Sequence, residues 1–337
     1  MGPSPRVLRK LVGQYDGIME LVFLGTGGGG SSVFRNSAAV ALKLPRENWL
    51  FDCGEGTGRQ MTKHGDLSTG ATKRIFITHL HGDHLFGLPG FLCEISGALS
   101  ESEEEQHIDV YGPPGVFDAV NTMLMLSNAS LNAITVHIHE FIKSSNKKAA
   151  VSPYKRLPMH KKIQLHTIEA TEHTDGFPIW TPVDNGVYTV TASPVQHTIQ
   201  TLGYVIEENP IQQNIDSVKC KTLGLLPGPN YKILKSGKSV VSDDGDVIHP
   251  HQVLLPKEYK ERKVVILGDH CDARNFEVLG KGAAVLVTES TLLSNMQREK
   301  YKRGHSTAQC AGDLARKMQV SNVFLTHFSG RFMPSGE

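Results

Sequence analysis

The sequence predicts a layered α/β fold, and two observations carry that prediction. Short apolar strands recur from Glu20 to Thr326, and only a few segments between them show helical spacing. A helical bundle would lack the strands, and a pure β-barrel would lack the helices. No internal repeat breaks the chain into copies of a smaller unit.

Glu20 to Gly25 reads as the first strand, followed by a glycine-rich turn from Thr26 to Gly30. Ser37 to Leu44 and Trp49 to Asp52 read as further strands, and Lys73 to Thr78 as an apolar one. Leu88 to Leu99 has helical periodicity. The acidic run Glu101 to Gln106 reads as a solvated loop. Ile108 to Tyr111 is a strand stopped by Gly112-Pro113-Pro114-Gly115, and Val116 to Leu126 is a helix. Asn185 to Val195 and Leu202 to Glu207 form a strand pair around His197. Lys263 to Leu267 and Ala283 to Thr288 read as buried strands, Gln309 to Lys317 as a helix, and Asn322 to Thr326 as a last strand.

At 337 residues the chain has room for one large domain or two ordinary ones. No apolar stretch is long enough to cross a bilayer, so no membrane role is expected. Residues 1–17 lack the apolar core of a secretory signal and are too short and serine-poor for a transit peptide. They are expected to form an N-terminal extension. The five cysteines contain no CxxC pair, which fits a reducing compartment. The cytoplasm is the expected location, with nucleus and mitochondria as alternatives. Sixteen histidines at this length point to metal chemistry without locating it. The net charge of +1 decides nothing about nucleic acid, so local patches must be read directly. Lys143 to Lys162 holds seven Lys or Arg, within a segment that has no acid from Phe141 through Ile168. Lys219 to Val241 holds five lysines and no acid, wrapped around Gly224-Leu225-Leu226-Pro227-Gly228-Pro229. The first stretch reads equally well as a solvated loop; the second reads as a shaped projection.

Gly25-Thr26-Gly27-Gly28-Gly29-Gly30 satisfies the G-x-G-x-x-G dinucleotide pattern after a strand. That pattern needs a helix to open at its last glycine, yet the chain leads here into another strand at Ala38 to Leu42. A tight turn between strands is the better reading. His79-Leu80-His81-Gly82-Asp83-His84 is a different signal, placed at the C-terminal end of an apolar strand. His79 and His81 are two apart, so an extended backbone points both imidazoles the same way. Gly82 lets the chain turn, and Asp83 and His84 then face a second point at a helix start. Imidazole with carboxylate suits zinc best, with manganese or iron as alternatives. Further ligands must come from later strand ends, where His197, Asp269 and His327 each follow an apolar strand. His137, His139 and Glu140 lie on an alternating strand and read as a surface or core pattern, as do His249 and His251.

These residues resemble the metallo-β-lactamase superfamily. Further segments narrow the resemblance to the tRNase Z family in its short form. They are Phe51 to Thr57, Thr78 to His84 with Gly87-Leu88-Pro89-Gly90, Tyr111-Gly112-Pro113, Pro227-Gly228-Pro229, Ile266 to Asp269, Gly304 to Thr307, and Thr326 to Ser329. The match runs from about Met19 to Arg331. It implies a four-layer αβ/βα sandwich of two mixed sheets over residues 18–337, with a flexible arm inserted at about 207–241. It implies one zinc on His79, His81 and His197, another on Asp83, His84 and His327, and Asp269 bridging them. Asp83 is the implied proton acceptor, and His305 with Glu289 the implied source of a proton for the leaving group. The implied activity is zinc-dependent removal of the 3′ trailer from precursor tRNA, leaving a 3′-hydroxyl, by a homodimer. The arm would then grip tRNA through Lys219, Lys221, Pro227, Gly228, Pro229, Lys232 and Lys235.

Three departures stand beside the resemblance. Thr288 precedes the acid where the family usually has His, and His270 follows Asp269 where a small residue is usual. The family also continues through a further helix and strand, whereas this sequence ends at Glu337, which predicts a fold short of those two elements. The competing readings are a small-substrate phosphodiesterase or sulfatase of the same fold, and a catalytically impaired RNA- or protein-binding form.

Overall fold

The computed structural model describes residues 19–143, 157–210, 213–242, 244–255 and 260–331. The expected N-terminal extension and residues 144–156 of the first basic stretch lie outside them. The first sheet runs, in spatial order, β1 (Glu20–Gly25), β2 (Ala39–Lys43), β3 (Asn48–Phe51), β4 (Thr72–Phe76), β5 (Gln106–Gly112), β6 (Ile134–Ile142) and β7 (Ile163–Glu169). β1, β2 and β3 are antiparallel, and from β3 to β7 each pairing is parallel. The period of two along these strands sorts the side chains cleanly. Ala39 and Ala41 of β2 face the outer core, while Val40 and Leu42 face inward.

The outer face of this sheet is covered by α1 (Thr57–His64), α3 (Leu88–Ala98) and α4 (Val116–Leu126); α2 (Gly82–Leu85) is a single turn between them. Phe91, Leu92 and Ile95 from α3 and Val120 and Leu124 from α4 bury against Ile75, Val110, Val136 and Ile138. Gly87 sets how closely α3 approaches β3: its N–H donates to Cys53 O at 2.9 Å, and a Cβ there would sit 2.2 Å from Gly54 O. Only glycine fits such an approach.

The second sheet has the spatial order β14 (Asn322–Thr326), β13 (Val285–Glu289), β12 (Lys263–Leu267), β11 (Thr201–Glu208), β10 (Tyr188–Val195), β9 (Pro178–Asp184) and β8 (Thr171–Glu172). Its β12, β13 and β14 are parallel and the others antiparallel. Between the two sheets lies an aromatic core. The Phe76 ring stacks on Phe51 at 4.8 Å and on Tyr111 at 5.1 Å, and Tyr204 from the second sheet meets Phe76 edge-on at 5.3 Å. Tyr204 also donates its hydroxyl to Ile77 O at 2.7 Å, which ties β11 to the segment carrying the histidine run. On the far face, Leu314, Ala315 and Met318 of α7 (Ala308–Met318) pack with Phe276 against Val205, Val265 and Leu286. The result is four layers, helices–sheet–sheet–helices, as expected.

After Glu208 the chain leaves the second sheet, and it returns at Lys263. The excursion carries α5 (Ser217–Thr222) and α6 (Pro229–Lys235), whose Cys220 and Leu234 pack with Leu225, Val240, Ile248 and Val253 into a small core of their own. The packed unit therefore continues past Val241. At its neck Arg262 Nε donates to Glu208 Oε2 at 3.0 Å, and Lys263 Nζ reaches Glu207 Oε1 at 2.8 Å.

Candidate metal centre

The residues of the centre gather around strand ends at one rim of the two sheets. His79 and His81 follow β4, and Asp83 and His84 lie in α2, which opens at Gly82 as the sequence predicts. His197 lies between β10 and β11, Asp269 follows β12, Glu289 ends β13, and His327 follows β14. Parallel strand ends leave outward-pointing side chains and a crevice between neighbouring loops. His327 adopts φ 56°, as does Asp52 at 58°, an unusual backbone for non-glycine residues that only a well-braced site sustains.

Two groups of candidate ligand atoms face each other. His79, His81, His197 and Asp269 form one group, and Asp83, His84 and His327 the other; within each the ligand atoms lie within 4.8 Å of one another. His79 Nε2 is 3.1 Å from His81 Nδ1, and His197 Nε2 is 3.3 Å from the same atom. Two nitrogens sharing a tetrahedral zinc sit roughly 3.3 Å apart. Asp269 lies between the groups. Its Oδ2 is 3.7 Å from His79 Nε2 and 3.1 Å from His327 Nε2, and its Oδ1 is 3.5 Å from His84 Nε2.

The fit to a metal shows most directly at His84, whose Nε2 is buried and makes no hydrogen bond. An unpaired buried ring nitrogen is costly, and Asp83 Oδ2 at 3.6 Å completes a polar surround at ligand spacing. The far ring nitrogens of four histidines are held by oxygen. His79 Nδ1 meets Thr78 Oγ1 at 3.0 Å, His84 Nδ1 meets Asp52 Oδ2 at 2.7 Å, His197 Nδ1 meets Gly304 O at 2.6 Å, and His327 Nδ1 meets Thr291 Oγ1 at 2.8 Å. Such partners fix the tautomer and aim the other nitrogen.

Protonation follows from the same geometry. Burial, helped by the neighbouring His84, lowers the His79 imidazole to about 2 despite Asp269, and burial lowers His81 and His197 as well. Burial alone would raise Asp269 and Asp83, but the adjacent His327 and His84 hold both carboxyls below their usual range. Neutral imidazoles and ionised carboxylates are the forms that ligate metal. His84 goes the other way: burial opposes its charge, yet Asp269 and Asp52 raise it well above an ordinary imidazole. A cation arriving there competes with a proton.

His305 approaches from the loop before α7, with Nδ1 3.1 Å from Glu289 Oε1 and 3.8 Å from Asp269 Oδ2. Glu289 is buried and fully engaged as an acceptor. It takes N–H groups from His270 at 2.7 Å, Ser306 at 3.0 Å and Thr291 at 3.3 Å. Burial works against charge on both partners. Their mutual hydrogen bond nevertheless lowers Glu289 and raises His305. His270 points its Nδ1 at Gly268 O, 2.8 Å away, and its Nε2 at Thr288 Oγ1, so neither nitrogen turns into the centre.

A family model described as anti-Pycsar protein Apyc1 matches residues 19–175. The zinc phosphodiesterase ELAC protein 1 of Mus musculus is 36% identical over 329 residues, covering 94% of this chain and 88% of its own length. A protein named ribonuclease Z from Streptococcus agalactiae is 36% identical over 319 residues, covering 94% of this chain and 91% of its own length. The chain belongs to the ribonuclease Z family. The solved structure of human tRNase Z, short form, superposes with a TM-score of 0.64 at 30% identity, covering 93% of both chains. A metallo-β-lactamase fold protein from Bacillus subtilis, YhfI, agrees in fold with a TM-score of 0.53 at 13% identity.

In this ribonuclease Z chain the seven expected ligands and the His305–Glu289 pair converge on one rim. The residues expected to grip RNA do not share it, because they belong to the excursion. Lys219, Lys221, Lys232, Pro227, Gly228 and Pro229 are exposed there, and Lys235 is half-buried. Three contributors escaped sequence reasoning. Asp52 holds His84, and Thr291 holds His327. The glycine turn, expected only as a tight turn between strands, comes down on the centre: Gly29 N donates to Asp83 Oδ2 at 2.6 Å, and a Cβ on Gly28 would sit 2.6 Å from His327 Nδ1. The dinucleotide pattern thus has a different cause, since backbone must pass where no side chain fits. Asp52 did carry a legible signal, an acid at the end of an apolar strand, the same signal that marks Asp269.

Proposed function

We propose that this chain is an endoribonuclease that removes the 3′ trailer of precursor tRNA with two zinc ions per subunit, manganese being the alternative metal. The reading rests above all on Asp269, which lies within reach of both histidine groups beside the unpaired Nε2 of His84. His79, His81 and His197 would hold one ion, Asp83, His84 and His327 the other, and Asp269 both. Bound there, zinc supplies Lewis acidity to the phosphoryl oxygen and brings water within reach of ionisation near neutral pH.

The side chains supply the proton traffic. Asp83, held ionised by His327 and His84, accepts the proton of the attacking water on its carboxylate. A 3′-hydroxyl on the tRNA requires the P–O3′ bond to break, so the trailer keeps the phosphate and the tRNA O3′ receives a proton. His305, whose protonated form the hydrogen bond to Glu289 favours against burial, is placed to give it. Glu289 is thus a positioning residue. The exposed lysines of α5 and α6 bind tRNA phosphates away from the cut and set its orientation, across a homodimer. The names of the relatives support the substrate, and five free cysteines agree with a reducing, cytoplasmic setting. Among the described residues no helix is long and apolar enough to cross a membrane.

The test is single-turnover cleavage of a 3′-extended tRNA by the zinc-loaded protein, its Asp83→Ala variant and a variant in which the whole excursion, residues 209–261, is replaced by a short glycine linker. Asp83→Ala is expected to abolish cleavage. The deletion is expected to spare hydrolysis of a small phosphodiester while losing the tRNA. Equal tRNA cleavage by the deletion variant would sink the role given to the arm.

A further inference from the structure

The rim does not use all the histidines. His107 and Asp109 on β5, His137 and His139 on β6, and His166 on β7 share one face of the first sheet. They alternate with Ile108, Val110, Val136 and Ile138, which bury under the helices on the other face. Farther along these strands the same face is the inter-sheet core, where Tyr111 and Phe141 sit, with Ile168 packed against them. Histidines replace aromatics where that core ends, and His107 is exposed while His137, His139 and His166 are half-buried.

Register sets their contacts. Asp109 pairs with His137 and His139 with His166, so His107 is the diagonal neighbour of His137. His107 Nδ1 lies 3.0 Å from His137 Nε2, and His137 Nδ1 lies 3.1 Å from His166 Nε2. His139 stacks on His166 with centroids 4.9 Å apart and pairs its Nε2 with Asp109 Oδ1 at 2.8 Å. One imidazole therefore has its two nitrogens addressed by two others.

We infer that His107 and His137 form a second, surface binding site for a divalent transition metal of the zinc–copper–nickel type, with water completing its coordination. The facing nitrogens His107 Nδ1 and His137 Nε2 stand near the separation of two ligands on one ion, which is roughly 3.3 Å. A ligating imidazole needs a partner for its other ring nitrogen, and His137 Nδ1 has one in His166 Nε2 at 3.1 Å. Asp109, beside His137 in register and held by His139, adds negative charge next to the ion. Imidazole ligands on an open face select this metal class over magnesium or calcium, which take oxygen. The strands make the clip rigid, since both ligands lie inside paired β-structure and not on a loop.

The experiment is equilibrium dialysis of the full chain, its rim already loaded with zinc, against increasing zinc or nickel, followed by elemental analysis. Wild type is expected to take up one further equivalent per chain. His137→Ala and, separately, the exposed His107→Gln should each weaken that uptake at least tenfold, while trailer cleavage stays at the wild-type level. His166→Ala should weaken it less, because it removes only the partner of His137. No further equivalent in wild type would overturn the inference. A further equivalent that persists undiminished in folded His107→Gln would overturn it as well, assigning the metal to other groups.

Discussion

Asp52 illustrates how a centre of this kind depends on residues that touch no substrate. Its Oδ2 holds His84 Nδ1, while its Oδ1 accepts Thr78 N at 2.7 Å, so one carboxylate fixes a ligand and the turn that carries the ligands. Asp52→Asn is expected to lower affinity at the second metal group by about 10–100-fold, read by zinc competition against a chelator. Unchanged affinity would remove Asp52 from the design. His305→Ala should leave metal content intact and slow cleavage by roughly 10²–10⁴-fold, the usual worth of a proton donor. A variant that lost metal instead would make His305 a ligand. The convergence of the rim's candidate ligands was legible because H-x-H-x-D-H and three strand-end residues combine in a single pattern. Asp52 carried only the general signal of an acid at a strand end, and Thr291 and Gly28 carried none, because each acts through a partner 32 or more residues away that only the folded chain brings near.

Among the elements, the legible ones were those whose pattern is strong in isolation. β12 and β13 are nearly continuous apolar runs because both faces are covered, by the aromatic core on one side and α7 on the other. β7 and β9 alternate weakly and keep exposed positions, so sequence spacing gave no clear strand there. The α5–α6 unit was legible only as an acid-free lysine stretch, since six- and seven-residue helices leave little periodicity. Phe76 joins the two sheets, and Phe76→Ala should cost about 3–5 kcal/mol in urea unfolding of the metal-loaded protein. In α6, Lys232→Ala should reduce the slope of log affinity for precursor tRNA against log salt by about one and leave small-ester hydrolysis unchanged. An unaltered slope would take Lys232 off the RNA.

For the whole molecule, two sheets meet face to face and deliver their loop residues to a common rim. The first contributes His79, His81, Asp83 and His84 from a single strand end, and the second contributes His197, Asp269 and His327 from three. Neither sheet holds a complete site, so closing the aromatic core between them is what assembles the ligand groups. The layered fold could be read from strand density, and the four-layer form from the family resemblance. The packing of the excursion could not be read, because its small core draws on Ile248 and Val253, beyond the stretch whose lysines mark it. The central claim is that this rim cuts precursor tRNA through bound metal. Its most direct test is end-group analysis of a 3′-extended tRNA incubated with the protein as purified, after chelator treatment, and after zinc is restored. The account predicts a tRNA with a 3′-hydroxyl and a trailer with a 5′-phosphate, lost on chelation and regained with zinc. Cleavage that survives full metal removal, or that leaves the phosphate on the tRNA, would contradict it.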